Sequence, residues 1–259
     1  MTAVKEETKT AGTKRLSGKV ALVTGGSRGI GAAIASRLAA DGASVVITYS
    51  SSKSEADQVV SKMKELGTNA AAIQANVSSE QDSKKLVAEV QKSFGRIDIL
   101  VNNAGVFETK TIEEVDLDHY LRLFDVNVKG VIATTIAALP HIPDGGRIIN
   151  ISSGAATATM SGASVYSATK AALDTLTRVW AQDLGKRKIT VNCVSPGTTA
   201  TEMLQKGFPE EAKQMMISKT ALGRLGEPSD IADAVAFLAS HDGRWVTGHV
   251  LNCNGGINI

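Results

Sequence analysis

The chain has 259 residues, 43% of them hydrophobic and 21% charged, with a net charge of +2 at pH 7. That charge is too small to mark a nucleic-acid or anionic-membrane surface, and 4% aromatic residues leave little for base stacking. No uninterrupted apolar run approaches the roughly 20 residues of a membrane span, so neither nucleic acid nor a membrane is expected as a partner. Residues 1–15 are polar and lack the apolar centre of a secretory signal, so they read as a mobile tail. Cys193 and Cys253 are isolated, as buried thiols of a reducing, cytoplasmic compartment would be. The four histidines are scattered and match no metal-ligand spacing, so no metal is expected.

In chain order, the first element is the short apolar run Val20 to Val23, a strand buried on both faces. Thr24-Gly25-Gly26-Ser27 breaks it, and Gly29 and Gly31 lead into a helix carrying Ile34, Leu38 and Ala39 that ends at Gly42. Val45 to Ile47 is a second strand. Ser54 is placed to cap a helix with Val59, Met63 and Leu66, ended by Gly67. Ala70 to Gln74 is a third strand, and Ser79 caps a helix with Leu86, Val87, Val90 and Phe94. Ile97 to Val101 is a fourth strand. A long helix, roughly 117–138, carries Asn127 and Gly130 in its middle and stops at Pro140. Arg147 to Ile151 is a fifth strand, followed by a helix bearing Tyr166, Lys170, Leu173, Leu176 and Trp180. Ile189 to Val194 is a sixth strand, 196–218 is irregular or weakly helical, Pro228 opens a helix through Leu238, and Val250 and Leu251 belong to a last strand.

Strands alternating with helices predict one α/β domain over 16–259: a doubly wound, mostly seven-stranded parallel sheet with helices on both faces. Ligands of such sheets bind beyond the carboxyl ends of the strands. The residues there are small and polar: Thr24 to Gly31, Thr48 to Ser52, Asn76-Val77, Asn102 to Gly105, Ser152-Ser153 and Ser195 to Thr201. One rim can hold one extended ligand. The strand, glycine turn and helix around Gly25, Gly29 and Gly31 make a seat for a pyrophosphate, because unpaired N–H groups and the dipole's positive end meet there.

Tyr166 and Lys170 are four apart on one helix and share a face. An ammonium beside a phenol favours the phenolate, which free tyrosine forms only near pH 10. A phenol so placed can exchange a proton near neutrality. Ser153 follows the fifth strand on the same rim, with Ser152 as its neighbouring candidate, and Asn127 interrupts a helix interior where asparagine is a poor former. A main-chain group freed by a kink there can hold water.

In order along the chain stand Thr24-Gly25-(x)3-Gly29-Ile30-Gly31, Asn102-Asn103-Ala104-Gly105, Asn127, Ser153, Tyr166-(x)3-Lys170 and Pro196-Gly197. With these the chain resembles the short-chain dehydrogenase/reductase family, from about Leu16 to its end. The resemblance implies a Rossmann fold and hydride exchange between a nicotinamide and a carbonyl or alcohol. Ser153 would hydrogen-bond the substrate oxygen, Tyr166 would protonate it, Lys170 would hold the nicotinamide ribose, and Asn127 would position a water in the relay. The cofactor would rest on Gly25, Ser27, Arg28, Gly29, Ile30 and Gly31, with Tyr49, Ser50 and Ser51 around the adenosine ribose. Asn76 and Val77 would frame the adenine, Asn103, Ala104 and Gly105 the adjacent ribose, and Pro196, Gly197, Thr199 and Thr201 the nicotinamide and phosphates.

After the second strand no carboxylate appears until Glu55, whereas an NAD site places an acid there for the ribose 2′-OH. Arg28 in the glycine turn can meet a 2′-phosphate instead, so NADP(H) is the expected cofactor. Phe107, Met160 and Met203, with Ser153, are the candidate substrate residues, and an apolar lid is expected over about 198–220. The resemblance implies a homotetramer acting on a small-molecule carbonyl or alcohol. A 3-oxoacyl-acyl-carrier-protein reductase, a sugar or polyol dehydrogenase, and a non-catalytic dinucleotide sensor are the alternative readings.

Overall fold

A computed structural model describes residues 14–257. Seven parallel strands form one sheet in the order β3-β2-β1-β4-β5-β6-β7. These are β1 Val20–Val23, β2 Ser44–Tyr49, β3 Ala70–Gln74, β4 Ile99–Asn102, β5 Arg147–Ile151, β6 Thr190–Pro196 and β7 Val250–Cys253. The helices are α1 Gly29–Ala40, α2 Lys53–Glu65, α3 Glu80–Phe94, α4 Leu117–Phe124, α5 Gly130–Ala138, α6 Ser164–Leu184, α7 Glu202–Gly207, α8 Glu210–Ser218 and α9 Pro228–Ala239.

Successive strand residues feed opposite layers, as the two-residue repeat of a strand requires. Ala21, Val23, Val45 and Ile47 pack under α1, α2 and α9, where Ile34, Leu38, Met63, Ile231 and Val235 are buried. Leu22, Val46, Leu100 and Ile148 face the other layer with Leu86, Val90 and Ala138. Each such buried aliphatic side chain contributes about 1.5–3 kcal/mol by leaving water. Winding runs from β1 outward to β3, then returns past β1 to β4. The crevice of a doubly wound sheet opens where the order reverses, here between the carboxyl ends of β1 and β4.

The elements expected from sequence are present, with shifts that have local causes. Ser52, not Ser54, stands at the N-cap of α2, because Ala56 already bonds back to the Ser52 carbonyl. Strand β4 starts at Ile99 rather than Ile97. Asp98 is diverted to accept from the Val20 N–H (3.0 Å) and to pair with Lys19 and Arg96 at the amino edge of the sheet. The segment after β6, expected to be at most weakly helical, forms α7 and α8, separated by Pro209. Of the expected tail, residues 1–13 lie outside the described residues, and Arg15 sits beside Asp41 and Asp242.

Leu117–His141 is one continuous helical unit of 25 residues, and an 18-residue window of it has mean hydropathy 1.3, enough by length and composition alone to cross a membrane. Asp125 and Lys129 interrupt the apolar run, and the window average passes over them. In this fold the unit packs on the sheet and buries Asn127, Thr134 and Thr135.

Candidate active site

Thr24 follows β1 and ties the two turns that flank the crevice. Its hydroxyl accepts from the N–H groups of Asn103 and Ala104, both at 3.0 Å. In return, Asn103 Nδ2 donates to the carbonyls of Thr24 (2.9 Å) and Gly25 (3.0 Å). Gly25 has φ +65°, and a Cβ there would lie 2.9 Å from the Ala104 Cα. A Cβ at Gly31 would collide with the Gly25 carbonyl and Asn103 Nδ2. Only hydrogen fits at either position, so the backbone of the turn folds tightly onto the start of α1. A turn so built can seat an anion at a helix N-terminus.

Around it stand the other residues expected to meet a cofactor. Ser27 and Arg28 complete the turn, and Ile30 packs partly into the core beneath α1. Arg28 is well exposed and 3.9 Å from Glu202. Tyr49 closes β2 and is buried, while Ser50 and Ser51 are exposed beyond it. Asn76 is exposed and Val77 buried after β3. Pro196 closes β6, and the Gly197 N–H bonds the Cys253 carbonyl (3.2 Å). Thr199 is buried, with its hydroxyl donating to the Gly197 carbonyl (3.0 Å). Thr201 caps α7, accepting from the Leu204 N–H (3.4 Å), and its methyl group faces Gly29. Of the two threonines, Thr199 is committed inward and Thr201 faces the glycine turn.

Between α4 and α5 the helix widens to one π turn, Asp125–Lys129, with Asn127 fully buried at its centre. Such single wide turns leave main-chain groups unpaired along the helix. Asn127 Oδ1 accepts from the Val106 N–H (2.8 Å), while Nδ2 donates to the Val106 carbonyl (2.9 Å) and to Thr169 Oγ1 (3.1 Å). Thr169 Oγ1 donates in turn to the Tyr166 carbonyl (2.6 Å). The sequence pointed to Asn127 but not to Val106 or Thr169, whose parts depend on main-chain geometry.

Lys170 is 5% exposed, and its Nζ donates to the Ile151 carbonyl at 2.9 Å. That is its single hydrogen bond among the described residues, and two of its three donor hydrogens remain. Burying a cation without a carboxylate is costly. Lys170 Nζ also lies 5.7 Å from the ring centroid of Tyr166, within range of a cation–π contact. The Ser152 hydroxyl donates to the Lys170 carbonyl (3.2 Å) and is buried. Ser153 is partly open instead. Its oxygen accepts from the Ala155 N–H (3.2 Å), and among the described residues its hydrogen has no acceptor. A Cβ on Gly105 would lie 3.3 Å from Asn127 Oδ1 and 3.5 Å from Lys170 Nζ. The two polar groups therefore border the same small space.

Phe107 meets the Tyr166 ring edge to face, centroids 4.8 Å apart at 89°. Phe208, between α7 and α8, lies 6.1 Å from Phe107. Met160 is exposed in the 159–162 loop, which is stitched to the Phe107 loop by the Lys110 N–H on the Gly162 carbonyl (2.8 Å). Met203 falls in α7, and its side chain lies outside the described part of the chain.

A family profile described as Enoyl-(Acyl carrier protein) reductase matches residues 25–258. An uncharacterised oxidoreductase of Methylorubrum extorquens is 51% identical over 94% of this chain and 99% of its own. A short-chain dehydrogenase of Burkholderia cenocepacia, solved in complex with NADP, superposes with a TM-score of 0.90 at 45% identity, covering 95% of this chain and all of that one. An angucycline C-6 ketoreductase with bound NADP gives 0.89 at 38% identity over 94% and 96% of the two chains. Seven parallel strands, the glycine turn at their reversal point and these matches agree: the chain belongs to the short-chain dehydrogenase/reductase family.

Proposed function

We propose that the chain is an NADPH-dependent carbonyl reductase, reversible as an alcohol dehydrogenase. The observation that carries this is Lys170: a buried ammonium with spare donors beside Tyr166 is what a ribose hydroxyl and a reactive phenol require. The cradle built by Gly25 and Gly31 fits the diphosphate of a dinucleotide. Arg28 and the uncharged Ser50-Ser51 rim suit a 2′-phosphate better than a 2′-hydroxyl. The NADP bound to the two solved relatives supports that choice.

When bound, the nicotinamide supplies the hydride that reaches the carbonyl carbon. Ser153 donates its free hydrogen to the carbonyl oxygen and orients it. Tyr166 delivers the proton to that oxygen, and Lys170 stabilises the phenolate left behind. The space shared by Asn127, Gly105 and Lys170 suits a water that returns the proton from solvent. Phe107, Met160 and Met203 bound the substrate, and the 198–220 segment covers it. The assembly is proposed to be a homotetramer. The apolar groove of Phe124, Val128, Ile132, Ala168, Ala172 and Leu176 fits a second copy of the same face. Cys193 and Cys253, both unpaired, suit a reducing, cytoplasmic setting.

The matching profile is described as an acyl-carrier-protein reductase, and 3-oxoacyl thioesters are the second substrate class to test. Loss of NADPH absorbance across ketones, keto-esters, 3-oxoacyl thioesters and sugars tests both readings. Turnover of ketones is expected. A protein that binds NADPH and oxidises it with no member of the panel would be a sensor rather than a reductase.

A further inference from the structure

The chain holds two tryptophans, three tyrosines and five phenylalanines, yet Tyr166, Phe107 and Phe208 come together at one place. They arrive from α6, from the loop after β4 and from the joint between α7 and α8. Phe107 is held firmly on both sides. Val106 before it is bonded twice to Asn127, and Glu108 after it grips Arg122 through two oxygens at 2.7 and 2.5 Å. Phe208 sits on extended backbone between two short helices and meets Phe107 at 31°. One aromatic wall is therefore fixed against Tyr166 and the other belongs to the proposed lid.

From this we infer that the site takes aryl ketones, in which the carbonyl is carried on or beside a flat aromatic ring. The inference rests on the reductase reading and names its substrate class. A planar ring entering between the lid and Phe107 exchanges the Phe107–Phe208 contact for stacking on both. Its carbonyl is then left at the edge of the Tyr166 ring. Aromatic pairs favour such offset or edge geometry over a face-to-face sandwich, and attract beyond what their buried area alone supplies. In the reaction the carbonyl carbon gains the hydride, the oxygen gains the Tyr166 proton, NADPH becomes NADP⁺, and solvent returns a proton to Tyr166.

The test compares 2-tetralone with 2-decalone, which has the same two-ring skeleton without the aromatic electrons. The kcat/KM ratio with NADPH is expected to favour tetralone by about tenfold, the size of one or two aromatic pairs. Phe107→Leu and Phe208→Leu should each bring that ratio toward one, and Phe107→Tyr should restore it. A wild-type enzyme that treats both ketones alike or prefers decalone, or leucine variants that keep the full ratio, overturns the aromatic wall and leaves the reductase standing. Calorimetry with 2-naphthol and decahydro-2-naphthol separates the other failure. Tighter binding of naphthol with no turnover of these ketones or of any other member of the panel overturns the reductase and leaves the wall standing. Equal binding with no turnover across the panel overturns both.

Discussion

Asn127 and Val106 exchange two hydrogen bonds, the side-chain amide of one facing the peptide of the other as a neighbouring strand would. Through Thr169 the same amide is linked to the main chain of Tyr166. The π turn thus fixes the loop that carries Phe107 and the helix that carries the phenol in one network.

Asn127→Ala leaves the N–H and C=O of Val106 unpaired and opens a small hole. Each buried unpaired group costs about 1–3 kcal/mol. A loss of roughly 3 kcal/mol in unfolding free energy is expected, checked by urea denaturation at constant slope. A variant as stable as the parent would show that the network holds nothing.

Tyr166→Phe removes one oxygen and keeps the ring against Phe107. Turnover is expected to fall at least 100-fold, the usual size of a general acid contribution. NADPH affinity, read by fluorescence titration, should stay within about twofold, since a proton donor contributes to the transition state and little to ground-state binding. Full activity in this variant would remove the mechanism.

Arg28→Ala should weaken NADPH while sparing NADH. A charge-assisted contact to a phosphate contributes about 1.5–3 kcal/mol, so the NADPH-to-NADH ratio of kcat/KM should drop roughly 10- to 100-fold. Arg28 also faces Glu202 on α7, so Glu202→Gln is the control for a lost ion pair. If both variants shift the ratio equally, Arg28 is not the group that reads the phosphate.

The two thiols should differ in reactivity. Burial and the nearby Asp174 carboxylate push Cys193 up to about 12, and burial also raises Cys253. Since thiolate is the reacting form, native protein at pH 8 should react slowly with a disulfide reagent, Cys193 slowest. Both should react at once in urea. The sign for stability follows from proton binding. Between the free-thiol value near 8.5 and about 12 the folded chain keeps a proton that the unfolded chain loses. Cys193 therefore contributes stability in full below that range, and the contribution declines as pH rises through it. Cys193→Ser, checked by denaturation between pH 7 and 10, should flatten that decline.

Much of this was legible in the residues alone. Val20 to Val23 and Arg147 to Ile151 announce buried strands because apolar runs between turn residues have few other uses. Gly25 and Gly31 mark a close approach because no other residue permits it, and Gly29 marks a left-handed backbone. Other features had no local signal. Asn127 pairs with a peptide, and peptides look alike in every sequence. The meeting of Phe107 with Phe208 depends on how the chain returns after β6, far from either residue. Ser52 and Ser54 are equally good caps, and only the course of the chain after β2 selects between them. Helices as short as α7 carry too few turns for a periodic pattern to show.

Thr24 has one further consequence. With its hydroxyl shared by two peptides of the facing turn, the groove between β1 and β4 is held by the fold's own hydrogen bonds. The entropy of setting its shape is spent when the chain folds, not when a nucleotide arrives. Amide exchange at 24–31 and 102–105 should therefore barely respond to nucleotide, while 202–218 becomes markedly more protected.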